Sequence, residues 1–481
     1  MPPSQRKERL FLFDTTLRDG AQTTGVDFSL EDKRLIARLL DELGLDYIEG
    51  GYPGANDTDT AFFAERPDLA TARFTAFGMT KRAGRSASND PGFQALLQAP
   101  VEAICLVAKA WDYHVKVALE ITNEENLAGI SESVEAVRAA GREAMIDCEH
   151  FFDGYKASPA YALACAKAAY DAGARWVVLC DTNGGTLPHE VERIVGEVTK
   201  KIPGNRIGIH THNDTENAVA NTLAAVRAGA RQVQGTINGL GERCGNANMI
   251  ALIPNLVLKM GFDTGLKPNA MQRLTHLSRL LDDRLNVLPN RSAAYVGTRA
   301  FAHKGGLHVS AVEKDPRTYE HVDPEVVGNQ RIIVVSDQAG RSTHPRSIAI
   351  VASAMVPFCQ EPLHVVQDDR REGAFGRLRH RPRFSFPDQD DLVVGDLEAD
   401  VGPRDVVEDD EIDALPAPLL AGPRHLLLRA AGLGREADQH LARPAGGTER
   451  RQDVDRGLEH DLGRPAVLLD LAGGPGDRTE V

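Results

Sequence analysis

The chain has 481 residues, 42% of them hydrophobic and 26% charged, enough for more than one domain with a large core in the first. Its formal net charge of −14 argues against a nucleic-acid partner, and no apolar run approaches the roughly 20 residues that cross a membrane. The first residues lack a signal-peptide core, and none of the six cysteines forms a Cys-x-x-Cys pair, so a cytoplasmic protein with small buried thiols is expected rather than a disulfide or zinc framework.

The first apolar run, Leu10, Phe11, Leu12 and Phe13, reads as a buried strand. It ends in the polar loop Asp14-Thr15-Thr16-Leu17-Arg18-Asp19-Gly20-Ala21-Gln22, and a helical pattern with Lys33 follows. Strand-like runs recur at 47–49, 73–77, 103–107, 144–148, 176–180, 207–210 and 232–237, each followed by a polar or glycine-rich loop and a helical stretch. Eight βα units in about 255 residues predict a TIM (β/α)8 barrel over residues 5–262. A doubly wound sheet usually has fewer strands and a Gly-x-Gly-x-x-Gly after the first, which is absent here.

Residues 263–342 read as a helical accessory subdomain leaning over the barrel mouth, with Pro-, His- and Gly-rich connections such as Phe301-Ala302-His303-Lys304-Gly305-Gly306-Leu307-His308. Beyond Ser342 the composition shifts to Arg, Asp, Gly, Pro, Leu and Ala, with no Lys after Lys314, no Tyr after Tyr319 and no Asn after Asn329. Such a segment is expected to be an atypical, disordered tail over 343–481. The missing residues have AT-rich codons, so the tail matches a GC-rich gene read out of frame, against the alternative of a divergent domain.

The chemistry concentrates at the ends of the predicted strands. His210 and His212 stand at i and i+2 after the seventh strand, so both imidazoles can face one metal at the C-terminal end of a barrel. With Asp19 from the first loop they make a two-His, one-carboxylate set, although histidines there could instead satisfy backbone groups. Arg18 can stabilise a developing oxyanion or form a structural ion pair across the mouth. Asp147 and Glu149 are a second i, i+2 pair, suited to carrying protons or to capping a helix. Thr182 can hydrogen-bond a small carboxylate, or the segment can be a turn with an N-cap at Thr186. Asn238 to Asn248 is a glycine-rich loop where barrels often bind anions.

The order Leu17-Arg18-Asp19-Gly20-Ala21-Gln22, then Lys33, together with His210-Thr211-His212-Asn213-Asp214 and Gly241-Glu242-Arg243-Cys244-Gly245-Asn246, resembles the signatures of the 2-isopropylmalate, homocitrate and citramalate synthases. The resemblance runs from about Leu10 to Ser342. It implies Asp19, His210 and His212 as ligands of a divalent cation (Mn, Mg or Zn), with Asn246 as an outer or fourth ligand. It further implies Arg18 and Glu149 in catalysis, Arg18 and Thr182 on the substrate, and His308 and Tyr319 reaching in from the accessory segment to activate acetyl-CoA. Glu216 and the segments around Trp111, Phe152 and Tyr319 look like the citramalate branch, in which acetyl-CoA and pyruvate are condensed and the thioester hydrolysed on the way to isoleucine. A 2-isopropylmalate synthase is the alternative, as is an inert product of a frameshifted gene. The related lyases of 3-hydroxy-3-methylglutaryl-CoA rely on a Gly-Gly-Cys-Pro loop that Cys244 does not sit in. The resemblance implies a homodimer, whereas the tail offers too little patterned apolar surface for the isoleucine-binding domain of the family.

Overall fold

The computed structural model describes residues 7–334. The tail predicted at 343–481 and the last residues of the predicted accessory subdomain lie outside the described residues.

Eight parallel strands close into a barrel: β1 (Phe11–Asp14), β2 (Tyr47–Gly51), β3 (Arg73–Met79), β4 (Ala103–Lys109), β5 (Glu143–Glu149), β6 (Trp176–Asp181), β7 (Ile207–Thr211) and β8 (Gln232–Gly235). Closure is made by β1 on β8, with Phe11 opposite Gln232 and Asp14 opposite Gly235. Each predicted strand run falls on one of these strands, with ends shifted by one or two residues.

The period of two along each strand separates two cores. Outward residues such as Ile48, Ile104, Ile146 and Val177 pack under the surrounding helices, while Phe13, Tyr47, Cys105, Met145, Trp176, Val178 and Cys180 fill the barrel interior. Trp176 satisfies its indole N–H inside that interior by donating to the Tyr47 hydroxyl at 3.2 Å. Two residues further along the strands, the inward positions become polar: Glu49, Asp147, His210 and Gln234 are all buried. Polar groups so placed are stable only when paired, and their pairing builds the site.

The helices are fixed by local chemistry. Helix Leu30–Leu43 starts with a reciprocal cap, in which the Asp32 N–H donates to Ser29 Oγ (3.1 Å) and Ser29 N–H donates to the Asp32 carboxylate (3.1 Å). It stops at Gly44, whose φ of 96° suits glycine. Lys33 on this helix is buried, donates to the Gly50 carbonyl at 2.9 Å and pairs with Asp59, which ties the helix to the end of β2.

After the barrel, helix Leu274–Arg284 buries Leu274, Leu277 and Leu281. It holds the loop after β8, since Asn238 Nδ2 donates to the Ser278 carbonyl (2.9 Å) and the Asp282 carboxylate (2.8 Å). Beyond it come helix Gly306–Lys314 and the short parallel pair Ala302–His303 with Ile332–Ile333, and Glu320 lies 3.1 Å from His303 Nε2 and accepts from Arg331 Nε at 2.6 Å. No helix among the described residues is long and apolar enough to cross a membrane.

Candidate active site

Asp19, His210 and His212 converge: each offers one ligand atom, and these atoms lie within 4.8 Å of one another. His210 Nε2 is 3.2 Å from Asp19 Oδ2 and 3.2 Å from His212 Nε2, and all three side chains are buried. Burial alone would raise the Asp19 carboxyl, but Arg18 and His210 beside it hold it far below the usual carboxylate range. Burial and the neighbouring His210 press His212 down to about 3, so its ring is neutral near pH 7. A carboxylate and a neutral imidazole aimed at one point form a donor set that fits a divalent cation. Asn246 adds to that fit. Its Nδ2 donates to the Leu240 carbonyl at 3.0 Å, which leaves Oδ1 buried and without a partner. Gly241 permits this arrangement, since at its φ of 154° a Cβ would collide with the Asn246 amide.

Arg18 is the cation of the site. Its Nε donates to Glu49 Oε2 at 2.7 Å, its Nη1 is 3.6 Å from Asp19 Oδ2, and its guanidinium lies 3.9 Å from the centre of the Phe77 ring. Burial opposes its charge, but Glu49 and Asp19 outweigh that and keep the guanidinium protonated. Glu49 is fully buried at the end of β2, where desolvation pushes its carboxyl up to about 7 despite Arg18, and its Oε1 has no partner. The structural ion pair foreseen for Arg18 and its place beside the triad therefore coexist.

Thr182 Oγ1 accepts the His150 N–H at 2.8 Å, which leaves the hydroxyl proton free to donate. The alternative reading of an N-cap at Thr186 is corrected: helix Pro188–Thr199 has its N-cap at Leu187, and Thr186 donates instead to Asp181 Oδ1 at 2.7 Å. The buried Asp181 carboxylate out-competes the helix end for that hydroxyl. Glu149 stands at the end of β5 paired with Lys109, while Asp147, two residues deeper, has its carboxyl raised by burial. His308 and Tyr319 pack ring on ring at 4.3 Å on the accessory segment. Tyr319 is 46% exposed, and among the described residues no hydrogen bond or ion pair joins either to the triad.

Glu49 and Gln234 were given no role from the sequence, and Arg243, although it stands inside the Gly241–Asn246 motif, was given none either. Arg243 clamps three loops, donating to both Asp214 oxygens (2.7 and 3.0 Å) and to the Thr182 carbonyl (2.8 Å). The signal for Glu49 and Gln234 was an isolated polar residue at an inward position near the end of a buried strand.

The sequence model of the HMGL-like family matches residues 9–280, more than half of the chain. The chain belongs to the HMGL-like family. Residues 295–349 match a second model, the homocitrate synthase post-HMGL domain-like family. The (R)-citramalate synthase of Aquifex aeolicus is 52% identical over 70% of this chain and 64% of its own, and that of Synechocystis is 47% identical over 76% and 69%. A probable 2-isopropylmalate synthase of Methanopyrus kandleri is 37% identical over 69% of this chain and 64% of its own. This chain thus spans less than two thirds of the Aquifex relative's length. Among solved structures, the HMG-CoA lyase of Bacillus subtilis superposes with a TM-score of 0.51 at 20% identity, covering 61% of this chain and 98% of that one, a likeness of fold.

Proposed function

We propose that the chain is a cytoplasmic (R)-citramalate synthase, joining acetyl-CoA to pyruvate and hydrolysing the thioester to release CoA. The observation that carries the chemistry is the buried convergence of Asp19, His210 and His212 beside the Arg18 guanidinium. The acceptor rests on identity: 47–52% to the citramalate synthases of Aquifex and Synechocystis, against 37% to the 2-isopropylmalate synthase of Methanopyrus.

A divalent cation, Mn2+, Mg2+ or Zn2+, held by Asp19, His210 and His212 with Asn246 alongside, would polarise the 2-oxo carbonyl of pyruvate. Arg18, charged and dry, donates to the oxygen that gains negative charge as carbon attacks. The Thr182 hydroxyl, already aligned by the His150 N–H, donates a hydrogen bond to the pyruvate carboxylate. Glu149, His308 and Tyr319 handle the proton lost from the acetyl methyl group, with the exposed His308–Tyr319 pair brought to the thioester when acetyl-CoA binds. Residues 263–342 act as the accessory subdomain, and the working unit is a homodimer.

Thiol release tests the reading. Metal-replete protein is given acetyl-CoA with pyruvate, 2-oxobutyrate or 2-oxoisovalerate. Pyruvate should give the highest kcat/KM, with some leakage to 2-oxobutyrate, because one methylene discriminates by only about 1–3 kcal/mol. A higher value for 2-oxoisovalerate would reassign the chain to the isopropylmalate branch, and no thiol release from any acid overturns the reading.

A further inference from the structure

We propose that His150 is a positioning residue for the acceptor acid. Gripped by Asp153 in a left-handed conformation, it fixes the Thr182 hydroxyl so that its hydrogen is presented to the carboxylate of the 2-oxo acid, a role that rests on the synthase reading of the site.

His150 follows β5 and is the N-cap of helix Phe151–Ala157. N-cap residues are ordinarily extended and turn a side-chain oxygen onto the first N–H groups of the helix. His150 does neither: its φ is 56° and its ψ 32°, and its ring accepts nothing from the helix backbone. A non-glycine residue in that region is strained and persists only where its surroundings hold it. Three side chains do so here. Nδ1 lies 3.2 Å from Asp153 Oδ2, and the ring centre is 4.2 Å from that of His114 and 5.9 Å from that of Trp111.

The strained residue closes a circuit of contacts with the loop after β6. The His150 N–H donates to Thr182 Oγ1 at 2.8 Å, and Asn183 Nδ2 donates at 2.9 Å to Asp153 Oδ2, the same oxygen that faces the His150 ring. Arg243 fixes the Thr182 backbone separately, through the carbonyl at 2.8 Å, so the His150 amide acts on the side chain alone. With that amide on Oγ1, the hydroxyl hydrogen is directed away from His150, and among the described residues it meets no acceptor. Thr186 in the same loop supplies the contrast. Its hydroxyl donates to Asp181 at 2.7 Å and accepts from Lys156 at 3.2 Å, which leaves no hydrogen for a ligand.

The experiment uses full-length, metal-replete protein. Thiol release gives kcat and the KM for pyruvate and for acetyl-CoA, and 13C-methyl threonine spectra read whether Thr182 χ1 is single or averaged. Thr182→Val should raise KM for pyruvate about 10–100-fold, the cost of a hydrogen bond to a charged group, with kcat little changed because the bond is made in ground and transition states alike. His150→Ala and Asp153→Ala should each raise it about 10-fold, leave kcat and KM for acetyl-CoA in place, and average Thr182 χ1. His150→Asn should restore the wild-type KM and rotamer, since asparagine enters the left-handed region readily and its Nδ2 stands where the imidazole Nδ1 stood. Joining His150→Ala to Thr182→Val should raise KM no further than Thr182→Val alone, as expected when one residue acts through the other. A merely structural role would lower kcat in the single variants and multiply in the double one. The proposal is overturned if Thr182 χ1 stays single in His150→Ala, if KM for pyruvate does not move, or if the two effects multiply. Wild-type protein that releases no thiol would count against the synthase reading, while the Thr182 spectra still decide what His150 does.

Discussion

The triad and the His308–Tyr319 pair are the two halves of the proposed machinery, and they are built in opposite ways. Asp19, His210 and His212 are buried, stand at or just beyond the ends of β1 and β7, and are braced by Arg18, Glu49, Gln234 and Asp147. His308 and Tyr319 sit on the accessory segment, pack ring on ring at 4.3 Å, and leave Tyr319 about half exposed. A buried, braced set is ready before substrate arrives, whereas an exposed pair gains its role only when something orders it. The two halves should therefore fail differently.

The largest effect is expected in the braced half. Asp19→Asn, His210→Ala and His212→Ala should each lower kcat/KM on the order of 10³-fold or more, because metal polarisation is worth several kcal/mol and each tenfold is about 1.4. Near-normal turnover in any of them would break the comparison at its strong end. Next comes Arg18→Lys, since a lysine cannot reach Glu49 and the Asp19 side together as the guanidinium fork does. A loss of about 10²–10³ in kcat is expected, the value of one oxyanion donor. A change confined to KM would instead make Arg18 a ground-state binding group.

In the exposed half, His308→Ala and Tyr319→Phe should each cost about 10²-fold in kcat, toward the low end for proton transfer. Metal affinity and melting temperature should not move, as neither side chain makes a side-chain hydrogen bond among the described residues. A drop in Zn2+ affinity in these variants would show that the two halves are already coupled in the free protein.

The smallest effect concerns the floor beneath the braced half. Asp14 is fully buried at the end of β1, and burial pushes its carboxyl up to about 7, with only Thr16 (backbone N–H at 2.9 Å, hydroxyl at 3.0 Å) holding it down. An acid with its folded pKa raised binds protons more tightly when folded. Its contribution is fully present below about pH 4 and is lost as pH rises through about 7. Asp14→Asn keeps an acceptor for Thr16 and cannot ionise. Its melting temperature should therefore exceed that of the wild type more at pH 8 than at pH 5, by about 2–4 °C for each kcal/mol relieved. A constant difference across that range would show that Asp14 is ionised throughout.

The same contrast marks what could be read from the sequence. The barrel was legible because each strand buries both faces and appears as a short apolar run between polar loops. The triad was legible because His210 and His212 fall at i and i+2 and Asp19 lies in the loop that follows another strand. Glu49 and Gln234 were not, since one polar residue in a buried strand gives no hint of its partner across the barrel. Arg243 was not, because its Asp214 and Thr182 partners lie in other loops. Nor was the cap at Leu187, where a buried carboxylate takes the Thr186 hydroxyl that local sequence assigns to the helix. His308 and Tyr319 came from resemblance alone, and their proposed reach into the mouth stays a proposal.

The central claim is that Asp19, His210 and His212 hold one divalent cation, and counting that cation tests it most directly. Chelator-treated protein is dialysed against Mn2+ or Zn2+ and the bound metal quantified per chain, for the wild type and for Asp19→Asn, His210→Ala and His212→Ala. The account predicts one tightly bound equivalent in the wild type and its loss in all three variants with the fold retained by circular dichroism. One equivalent kept at wild-type affinity in the three variants would contradict it.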